Sequence, residues 1–320
     1  MPLELKKLSK RTGNRWILRD IDLTATDGRV FGICGRTGSG KTTLLNVIAG
    51  LGKANGGTVL LDGQELSPVK AKDRGILLLG GRETPGILSV FGGSQKDSTG
   101  EQQLQAFANA IANAPKVLLL DDPFVQMDRE LRDGCFQKLR AAAKGRIVIF
   151  ASSHFDQLAA VAEEMAVIDE SYVIQTGTPQ FIYENPETVA AATLSGDNNL
   201  FEARRLTSTD ADLPEFQTIE GSHRMFAKIV PKSRLGAINK NTTLAIRPEQ
   251  VSMSMGASFP EDNLVRAVVT GINFCGATCL IEFDAGGLKL KARVFKVVGL
   301  TPGDECMLGL PPHRITILKD

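Results

Sequence analysis

Residues 35–43, Gly-Arg-Thr-Gly-Ser-Gly-Lys-Thr-Thr, constrain this chain more than any other segment. They satisfy the pattern G-x-x-x-x-G-K-[ST], whose glycines let successive backbone N–H groups curl around a phosphate. An apolar run at residues 29–34 precedes them, and apolar residues at helical spacing follow from residue 41 to about residue 48. The loop therefore lies between a predicted strand and a predicted helix, whose positive end adds to the attraction for an anion. This order predicts a nucleotide-binding loop.

The side chains of this loop have predicted roles in holding a nucleotide and its metal ion. We expect the Lys41 ammonium to reach the β- and γ-phosphate oxygens and the Thr42 hydroxyl to bind Mg²⁺. The predicted nucleotide-binding residues are Gly35, Arg36, Thr37, Gly38, Ser39, Gly40, Lys41, Thr42 and Thr43.

Two further apolar runs end in residues that suit a nucleotide site. Residues 117–120 lead into Asp121 and Asp122, and residues 146–151 lead through two serines into His154. In a parallel sheet these ends meet at the ligand crevice, so we expect Asp121 to hold Mg²⁺ and Asp122 to meet the attacking water. His154 would contact the γ-phosphate and position that water. Taken alone, the acidic pair also suits a helix cap or a turn, and the histidine suits an ordinary surface position.

Strand-like and helix-like segments alternate through the first 150 residues. Strands are predicted at residues 3–8, 17–24, 58–63, 75–79, 117–120 and 146–151, and helices at 41–48, 102–113 and 129–143. Such alternation predicts an α/β domain with a parallel sheet covered on both faces. After about residue 200, short β segments at 264–272, 279–283, 288–294 and 306–310 predict a small all-β barrel or sandwich. We place the domains at 1–196 and 197–320.

Composition narrows the choice of partners. The 320 residues carry 37 Lys and Arg against 36 Asp and Glu, a net charge of +1 that gives no reason to expect a nucleic-acid partner. No apolar stretch approaches the roughly 20 residues of a membrane span, and the first residues lack the apolar block of a signal peptide. We therefore expect a cytoplasmic protein unless a partner holds it at a membrane. Cys275 and Cys279, the only close pair among five cysteines, are interpreted as buried residues of a β segment.

The order of these motifs resembles the ATPase subunit of ABC transporters. The resemblance rests on the phosphate loop, on Ser98 and Gly100 in a Ser-x-Gly-x-Gln-like segment heading a helix, on residues 117–123, on Asp128 and on His154. Residues 244–249, Leu-Ala-Ile-Arg-Pro-Glu, and the β-rich remainder resemble the OB-like accessory (TOBE) barrel of importer ATPases for sugars, polyamines, ferric iron and oxyanions.

This resemblance implies a P-loop NTPase fold of the ABC type: a RecA-like parallel sheet, an N-terminal antiparallel β portion and a C-terminal OB-like barrel. It implies ATP and Mg²⁺ as ligands, a second ATPase subunit that is the same or a homologous chain, and separate membrane-spanning permease subunits. The chain would then lie at the inner face of the cell membrane. Ser98 and Gly100 would meet nucleotide bound to the partner, and Asp128 would belong to the loop that communicates between the two sites.

Four departures from the family pattern weaken particular parts of this picture. The signature Leu-Ser-Gly-Gly-Gln is Asp-Ser-Thr-Gly-Glu at residues 97–101, which places negative charge where an anion should dock. The catalytic glutamate matches Asp122, one methylene shorter, so slow hydrolysis is expected. The glutamine that senses Mg²⁺ and water matches Gly80 or Gly81, and the helical lobe around residues 80–100 is shortened. The adenine-stacking aromatic matches Thr12; Trp16 could replace it, although a core position is favoured.

The sequence thus favours the ATP-binding subunit of an ABC-type importer that binds Mg-ATP and hydrolyses it slowly to energise transport. Two alternatives stay open: a degenerate ATP-binding regulatory subunit with little turnover, and the impaired half of a heterodimeric ATPase pair. Arg247 and Glu249 in the second domain suit either a regulatory ligand or an ordinary surface ion pair, and the ion pair is favoured.

Overall fold

The chain forms two compact units, Met1–Glu184 and Asn185–Asp320, in a computed structural model. The structure describes residues 1–80, 99–206, 213–231, 235–256, 259, 261–297 and 299–319. Ser98 and the other predicted features at residues 81–98 lie outside the described residues.

The first unit holds the predicted alternation of strands and helices. Its strands are β1 (Pro2–Thr12), β2 (Arg15–Thr26), β3 (Val30–Gly35), β4 (Gly56–Leu61), β5 (Gln64–Glu65), β6 (Ile76–Gly80), β7 (Val117–Asp121), β8 (Ile147–Ser152), β9 (Glu164–Asp169) and β10 (Tyr172–Gly177). Its helices are α1 (Lys41–Ala49), α2 (Thr99–Ala112), α3 (Arg129–Ala143), α4 (Phe155–Ala159) and α5 (Pro179–Glu184). Within the described ranges, no helix is long and apolar enough to cross a membrane.

The central sheet of this unit has the order β10-β9-β3-β8-β7-β6 within the described chain. Its five inner pairings comprise four parallel ones and the antiparallel β9–β10 hairpin. Every residue of β3, β7 and β8 is buried, which explains why these strands do not alternate and are apolar as far as Asp121 in β7 and Ser152 in β8. Their carboxyl ends therefore lie side by side at one edge of the sheet.

A second, antiparallel sheet of order β2-β1-β4-β5 completes the first unit in the described residues. Its strands alternate between buried and exposed positions, so one face packs onto the core and the other meets solvent. Leu3, Ile21, Ile48 and Ile149 show the result, since β1, β2, helix α1 and strand β8 share one hydrophobic core. The predicted N-terminal antiparallel portion and parallel α/β sheet are both confirmed.

Helix α3 has the bounds that its apolar spacing predicts, residues 129–143. Asp128 precedes it in an extended conformation, and its carboxylate accepts a hydrogen bond from the Leu131 backbone N–H at 2.9 Å. This satisfies one of the four unpaired N–H groups at the start of the helix. Its buried residues are Cys135, Phe136, Leu139, Ala142 and Ala143, which recur at helical spacing.

The second unit is built from antiparallel strands, as predicted for an OB-like domain. It begins with helix α6 (Val189–Ser195) and continues with β11 (Asn199–Arg205), β12 (Glu215–Thr218), β13 (Arg224–Phe226), β14 (Asn241–Ile246), β15 (Ser252–Ser254), β16 (Asn263–Phe274), β17 (Cys279–Ala285), β18 (Leu288–Val294), β19 (Glu305–Leu310) and β20 (Thr316–Ile317). In the described part these strands form two sheets, β13-β12-β11-β14-β20 and β15-β19-β16-β17-β18.

Two buried asparagines link unpaired strands of the second unit: Asn199 links β11 to β18, and Asn263 links β16 to β13. The Asn199 amide donates to the Lys291 carbonyl at 2.9 Å and accepts from the Lys291 N–H at 2.6 Å. The Asn263 amide accepts from the Phe226 N–H at 2.6 Å and donates to the carbonyls of Phe226 and Leu310, both at 2.9 Å. Each side chain thus takes the place of a backbone partner, as buried polar backbone groups require.

The units divide between residues 184 and 185, whereas the sequence places the boundary between residues 196 and 197. The reason is Arg247, whose guanidinium donates to the Asp197 carbonyl at 3.1 Å and to the Ser195 hydroxyl at 2.7 Å. Only 3% of Arg247 is exposed, so its interpretation as a surface residue is wrong. Buried at the end of α6, this arginine ties the helix to the second unit.

Candidate nucleotide site at the carboxyl edge of the parallel sheet

The predicted site residues of the first unit meet at the carboxyl ends of four neighbouring strands. Gly80 pairs with Asp121, Asp121 with Ala151, and Cys34 with Ser152 in the parallel register. The loop after β3, the acidic pair at the end of β7 and the turn after β8 therefore share one edge. Open parallel sheets bind their ligands at this edge.

The phosphate loop connects β3 to α1 without an acidic residue or a side-chain cap at the start of that helix. Gly40 has a φ of +103°, and an added Cβ would lie 2.7 Å from the Ile17 carbonyl oxygen, so no other residue fits there. The Ser39 hydroxyl is buried and has no hydrogen-bond partner among the described residues. Uncapped N–H groups and an orphaned hydroxyl in one glycine-rich turn suit an anion bound by the loop.

Lys41 begins α1 and folds back over the loop. Its ammonium donates to the Gly35 carbonyl at 2.6 Å and to the Arg36 carbonyl at 3.0 Å, and only 6% of the residue is exposed. Burial lowers the pKa of this lysine, while the charges of Asp122, Cys34 and Asp121 act in the opposite direction. A phosphate in the loop would offer the ammonium a charged acceptor in place of neutral carbonyls, and such bonds are about twice as strong.

Asp121 lies beside Thr42, as the sequence predicts. Burial raises the pKa of this carboxyl, the hydrogen bond from Thr42 lowers it, and the neighbouring Asp122 raises it again. Only 5% of Asp121 is exposed. A buried carboxylate that costs free energy to ionise, next to a hydroxyl oxygen, is a donor set that a hard divalent cation such as Mg²⁺ prefers. The residues present therefore fit the metal ion that the phosphate loop implies.

Asp122 is held by the strand next to its own. The Ser152 hydroxyl donates to Asp122 Oδ1 at 2.6 Å, and the Asp122 backbone N–H donates to the Ala151 carbonyl at 2.9 Å. Asp122 has a φ of +46°, a left-handed backbone conformation that residues other than glycine seldom adopt. Such backbone strain persists only where the surroundings enforce it, and it concentrates at functional sites.

His154 lies at the same edge and is exposed, immediately before α4. Its backbone N–H donates to the Ser152 hydroxyl at 3.1 Å, and its Nδ1 lies 3.5 Å from the Ser153 hydroxyl. The imidazole is therefore free to reach a ligand while its backbone is fixed to β8. Sequence reasoning gave Ser152 no role; the available signal was a polar residue at the end of a strand that is otherwise apolar.

Gly80 is one of the two residues that the glutamine of the family pattern matches, and the other, Gly81, lies outside the described residues. The φ of Gly80 is +93°, and an added Cβ would overlap the Asp121 carbonyl oxygen. A glutamine therefore cannot replace Gly80 while the backbone keeps this conformation.

The residues predicted to face a partner have local contacts in this unit. Gly100 lies in the first turn of α2, where an added Cβ would approach the Gln126 carbonyl to 3.1 Å. Asp128 caps α3, as described above. Helix α2 thus packs against the loop that leads from Asp122 to Asp128.

Trp16 does not occupy the core position that the sequence favours. It is half-buried, and the Arg11 guanidinium lies 4.4 Å from the centre of its ring, in a cation–π contact across the β1–β2 hairpin. Ile17, the next residue, has its carbonyl close to Gly40 of the phosphate loop. The tryptophan therefore lies near the loop rather than deep in the unit.

The five cysteines are free thiols, and Cys275 is exposed while Cys279 is only half-buried, so the interpretation of this pair as buried residues is wrong. Cys275 pairs with Thr278, and Cys279 pairs with Phe274, on either side of a tight turn. Because directly opposed residues share a face and successive residues alternate, Cys275 and Cys279 project to opposite faces of the hairpin. Across the described ranges no group of three or more His, Cys, Asp or Glu could hold a metal ion.

Comparison with known proteins agrees with both halves of this architecture. The family model of the ABC transporter domain matches residues 18–80, and that of the TOBE domain matches residues 244–318. "Spermidine/putrescine import ATP-binding protein PotA" of Haemophilus ducreyi is 28% identical, with 92% of this chain and 89% of that protein aligned. "Fe(3+) ions import ATP-binding protein FbpC" of Escherichia coli K12 is 24% identical over 99% and 98% of the two chains.

Solved structures support the fold of the first unit. An "ATP binding subunit of ABC transporter" superposes with a TM-score of 0.50 and 18% identity over 57% of this chain and 92% of that one. A "bacterial Atm1-family ABC exporter with ATP bound" superposes with a TM-score of 0.54 and 17% identity over 60% and 41%. With the loop, the strand order and the C-terminal match together, the chain is similar to ABC transporter ATP-binding proteins that carry a C-terminal TOBE domain.

Proposed function

We propose that the chain is the ATP-binding subunit of an ABC-type importer, which binds Mg-ATP and hydrolyses it slowly to energise transport through separate membrane subunits. One observation carries this proposal: the ends of β3, β7 and β8 bring Lys41, the Thr42–Asp121 pair and the Ser152–Asp122 pair to one edge. The import ATP-binding proteins similar to it along almost their whole length support the transport role.

In this proposal the loop holds the phosphates. The N–H groups of residues 35–43 surround them, and the Lys41 ammonium leaves the loop carbonyls to pair with phosphate oxygens. Thr42 and Asp121 would hold Mg²⁺. When bound, this ion neutralises phosphate charge and orients the phosphoryl group.

Hydrolysis would depend on Asp122 and His154. Asp122 is the general base that accepts a proton from the attacking water, and His154 contacts the γ-phosphate from the turn after β8. Because the aspartate is one methylene shorter than the family's glutamate, its carboxylate falls short of the usual position of the base. A misplacement of about 1 Å can cost about 100-fold in rate. The expected outcome is slow turnover.

A second candidate is favoured by Gly80 and the altered segment at residues 97–101. No glutamine can lie at residue 80. The acidic residues of the segment at 97–101 repel the phosphates of a nucleotide bound to a partner subunit. The chain would then be a regulatory ATP-binding subunit with little turnover, or the impaired half of a heterodimeric pair. In either case the importer's permease subunits and a second ATPase subunit hold it at the inner face of the membrane.

The first test measures Mg-ATP binding by calorimetry and phosphate release in the same sample. We expect the wild type to bind Mg-ATP, and Lys41→Ala to weaken binding at least 10-fold, because a hydrogen bond between charged groups contributes about 1.5–3 kcal/mol. Lys53→Ala, which removes an exposed lysine just beyond α1, is the matched control. Binding without Lys41-dependent release would reject the ATPase proposal in favour of the second candidate.

Asp122→Glu then separates a slow enzyme from a regulatory subunit. In a site limited by the short base, the longer side chain should raise phosphate release about 10-fold or more while Mg-ATP affinity stays the same. An unchanged rate in this variant would mean that the base is not what limits turnover.

A further inference from the structure

Ser152 is a fully buried polar residue at the end of an otherwise apolar strand. Its five predecessors in β8 are Ile147, Val148, Ile149, Phe150 and Ala151, and its own exposure is 0%. Strand β8 lies between β3 and β7, so Ser152 lies between the strand that leads into the phosphate loop and the strand that carries the acidic pair. A buried hydroxyl in this place needs hydrogen-bond partners.

The two hydrogen bonds of this hydroxyl have unambiguous directions. The carboxylate of Asp122 can only accept, so Ser152 donates its proton to Oδ1 over 2.6 Å. The His154 backbone N–H can only donate, so the same oxygen accepts from it over 3.1 Å. The hydroxyl therefore bridges the element that carries the carboxylate and the turn that carries the imidazole.

This hydrogen-bonded bridge fixes the side chain of Asp122, the general base in the function proposed above. An aspartate has two side-chain torsions, and among the described residues the Ser152 hydroxyl provides its only side-chain hydrogen bond here. Asp122 is also held by its N–H to Ala151, in the left-handed backbone conformation. Both restraints come from β8, so β8 determines where the Asp122 carboxylate lies.

We propose that Ser152 is a positioning residue for ATP hydrolysis, which orients the Asp122 carboxylate and fixes its spacing from the His154 turn. The proposal rests on the function proposed above. It assigns the serine no contact with nucleotide; the serine acts through Asp122. One oxygen of the carboxylate is engaged by Ser152, and the other is left to meet water.

The test compares Ser152→Ala with the wild type in nucleotide binding and in phosphate release. We expect kcat to fall about 10- to 100-fold, as a carboxylate misplaced by up to about 1 Å requires. The KM and the Kd for Mg-ATP should change less than about 2-fold, since the phosphate loop is untouched. Ser152→Thr, which keeps the hydroxyl, should restore most of kcat.

Ser9→Ala is the matched control because Ser9 forms the same kind of pair elsewhere in the first unit. Its buried hydroxyl accepts from the Asp20 N–H at 3.0 Å, and its oxygen lies 3.4 Å from Asp20 Oδ1 and 3.2 Å from the Lys7 carbonyl oxygen, the two acceptors within reach of its proton. We expect this variant to keep the wild-type kcat. Unfolding midpoints of all variants show whether each one is folded at the assay temperature.

Three results would overturn the assignment: a kcat of Ser152→Ala within 2-fold of the wild type, an equal loss in Ser9→Ala, or a loss that appears in Kd rather than in kcat. If the threonine variant does not fold, the Ser152→Ala and Ser9→Ala comparison alone decides. A wild type that binds Mg-ATP without releasing phosphate refutes the proposed hydrolysis, and the role of Ser152 with it. Hydrolysis that does not depend on Ser152 refutes only the serine assignment.

Discussion

Replacing Gly80 with alanine tests whether the close approach of the β6 end to the Asp121 carbonyl excludes a side chain at residue 80. The new Cβ would overlap the Asp121 carbonyl oxygen, and the backbone has a φ of +93°. The left-handed conformation costs an alanine about 1–2 kcal/mol. Forcing an extra carbon into a packed site costs about 1–3 kcal/mol more. Gly80→Ala should therefore lower the free energy of unfolding by about 2–5 kcal/mol.

The assay is urea denaturation, with Mg-ATP affinity measured by calorimetry on the same preparation. Gly63→Ala is the matched control, because Gly63 has a φ of +76° and nothing within 4 Å of its added Cβ. It should lose only the conformational part, about 1–2 kcal/mol, and keep its affinity. Gly80→Ala should lose affinity as well, since the overlap displaces the backbone of Asp121. Equal losses of stability in the two variants would refute the steric explanation for the absent glutamine.

Two further predictions concern a buried charge and a buried amide. Because burial raises the pKa of Asp121 above 3.8, its ionisation opposes folding, so its contribution to stability is present at low pH and is lost as the pH rises through the folded-state pKa. Asp121→Asn should therefore raise the melting temperature of the nucleotide-free protein at pH 7, and this difference should vanish below about pH 4. The same variant should lose Mg-ATP binding. A melting temperature below that of the wild type at pH 7 would contradict the prediction. Asn263→Ala removes three side-chain hydrogen bonds to buried backbone groups and should cost about 2–4 kcal/mol in urea denaturation, whereas the exposed Asn273→Ala on the same strand should cost less than about 0.5 kcal/mol. Equal losses in the free energy of unfolding for both asparagine variants would contradict a specific contribution from the buried amide.

Much of the fold could be predicted because its strongest elements follow from local pattern alone. The helix at residues 129–143 and the strand at residues 288–294 have their predicted bounds, since buried residues recur at helical spacing in the first and alternate with exposed ones in the second. The central strands β7 and β8 are apolar up to their last residue, which identifies them as buried without any knowledge of their neighbours.

The predictions that failed depended on which polar partner a particular side chain meets. Arg247 is buried because its partners are Ser195 and Asp197, some 50 positions earlier, and nothing around residue 247 indicates them. Trp16 lies in a strand of alternating pattern, which predicts a core position. The indole instead contacts the Arg11 guanidinium across the hairpin. Local periodicity says which residues face inward on average and cannot say which polar partner a particular side chain will meet.

The residues that depart from the family pattern at the carboxyl edge are neighbours, so a change at one of them affects the others. Gly80 pairs with Asp121, Asp122 follows it, and Ser152 of the next strand binds the Asp122 carboxylate. A glutamine at residue 80 would need space that the Asp121 carbonyl occupies, and a glutamate at residue 122 would carry its carboxylate past the Ser152 hydroxyl. Each residue therefore fits the others in their present form, because interiors this closely packed adjust as a set. On this argument the aspartate is a short base with its own support from β8, and restoring the family residues one at a time should give effects that do not add.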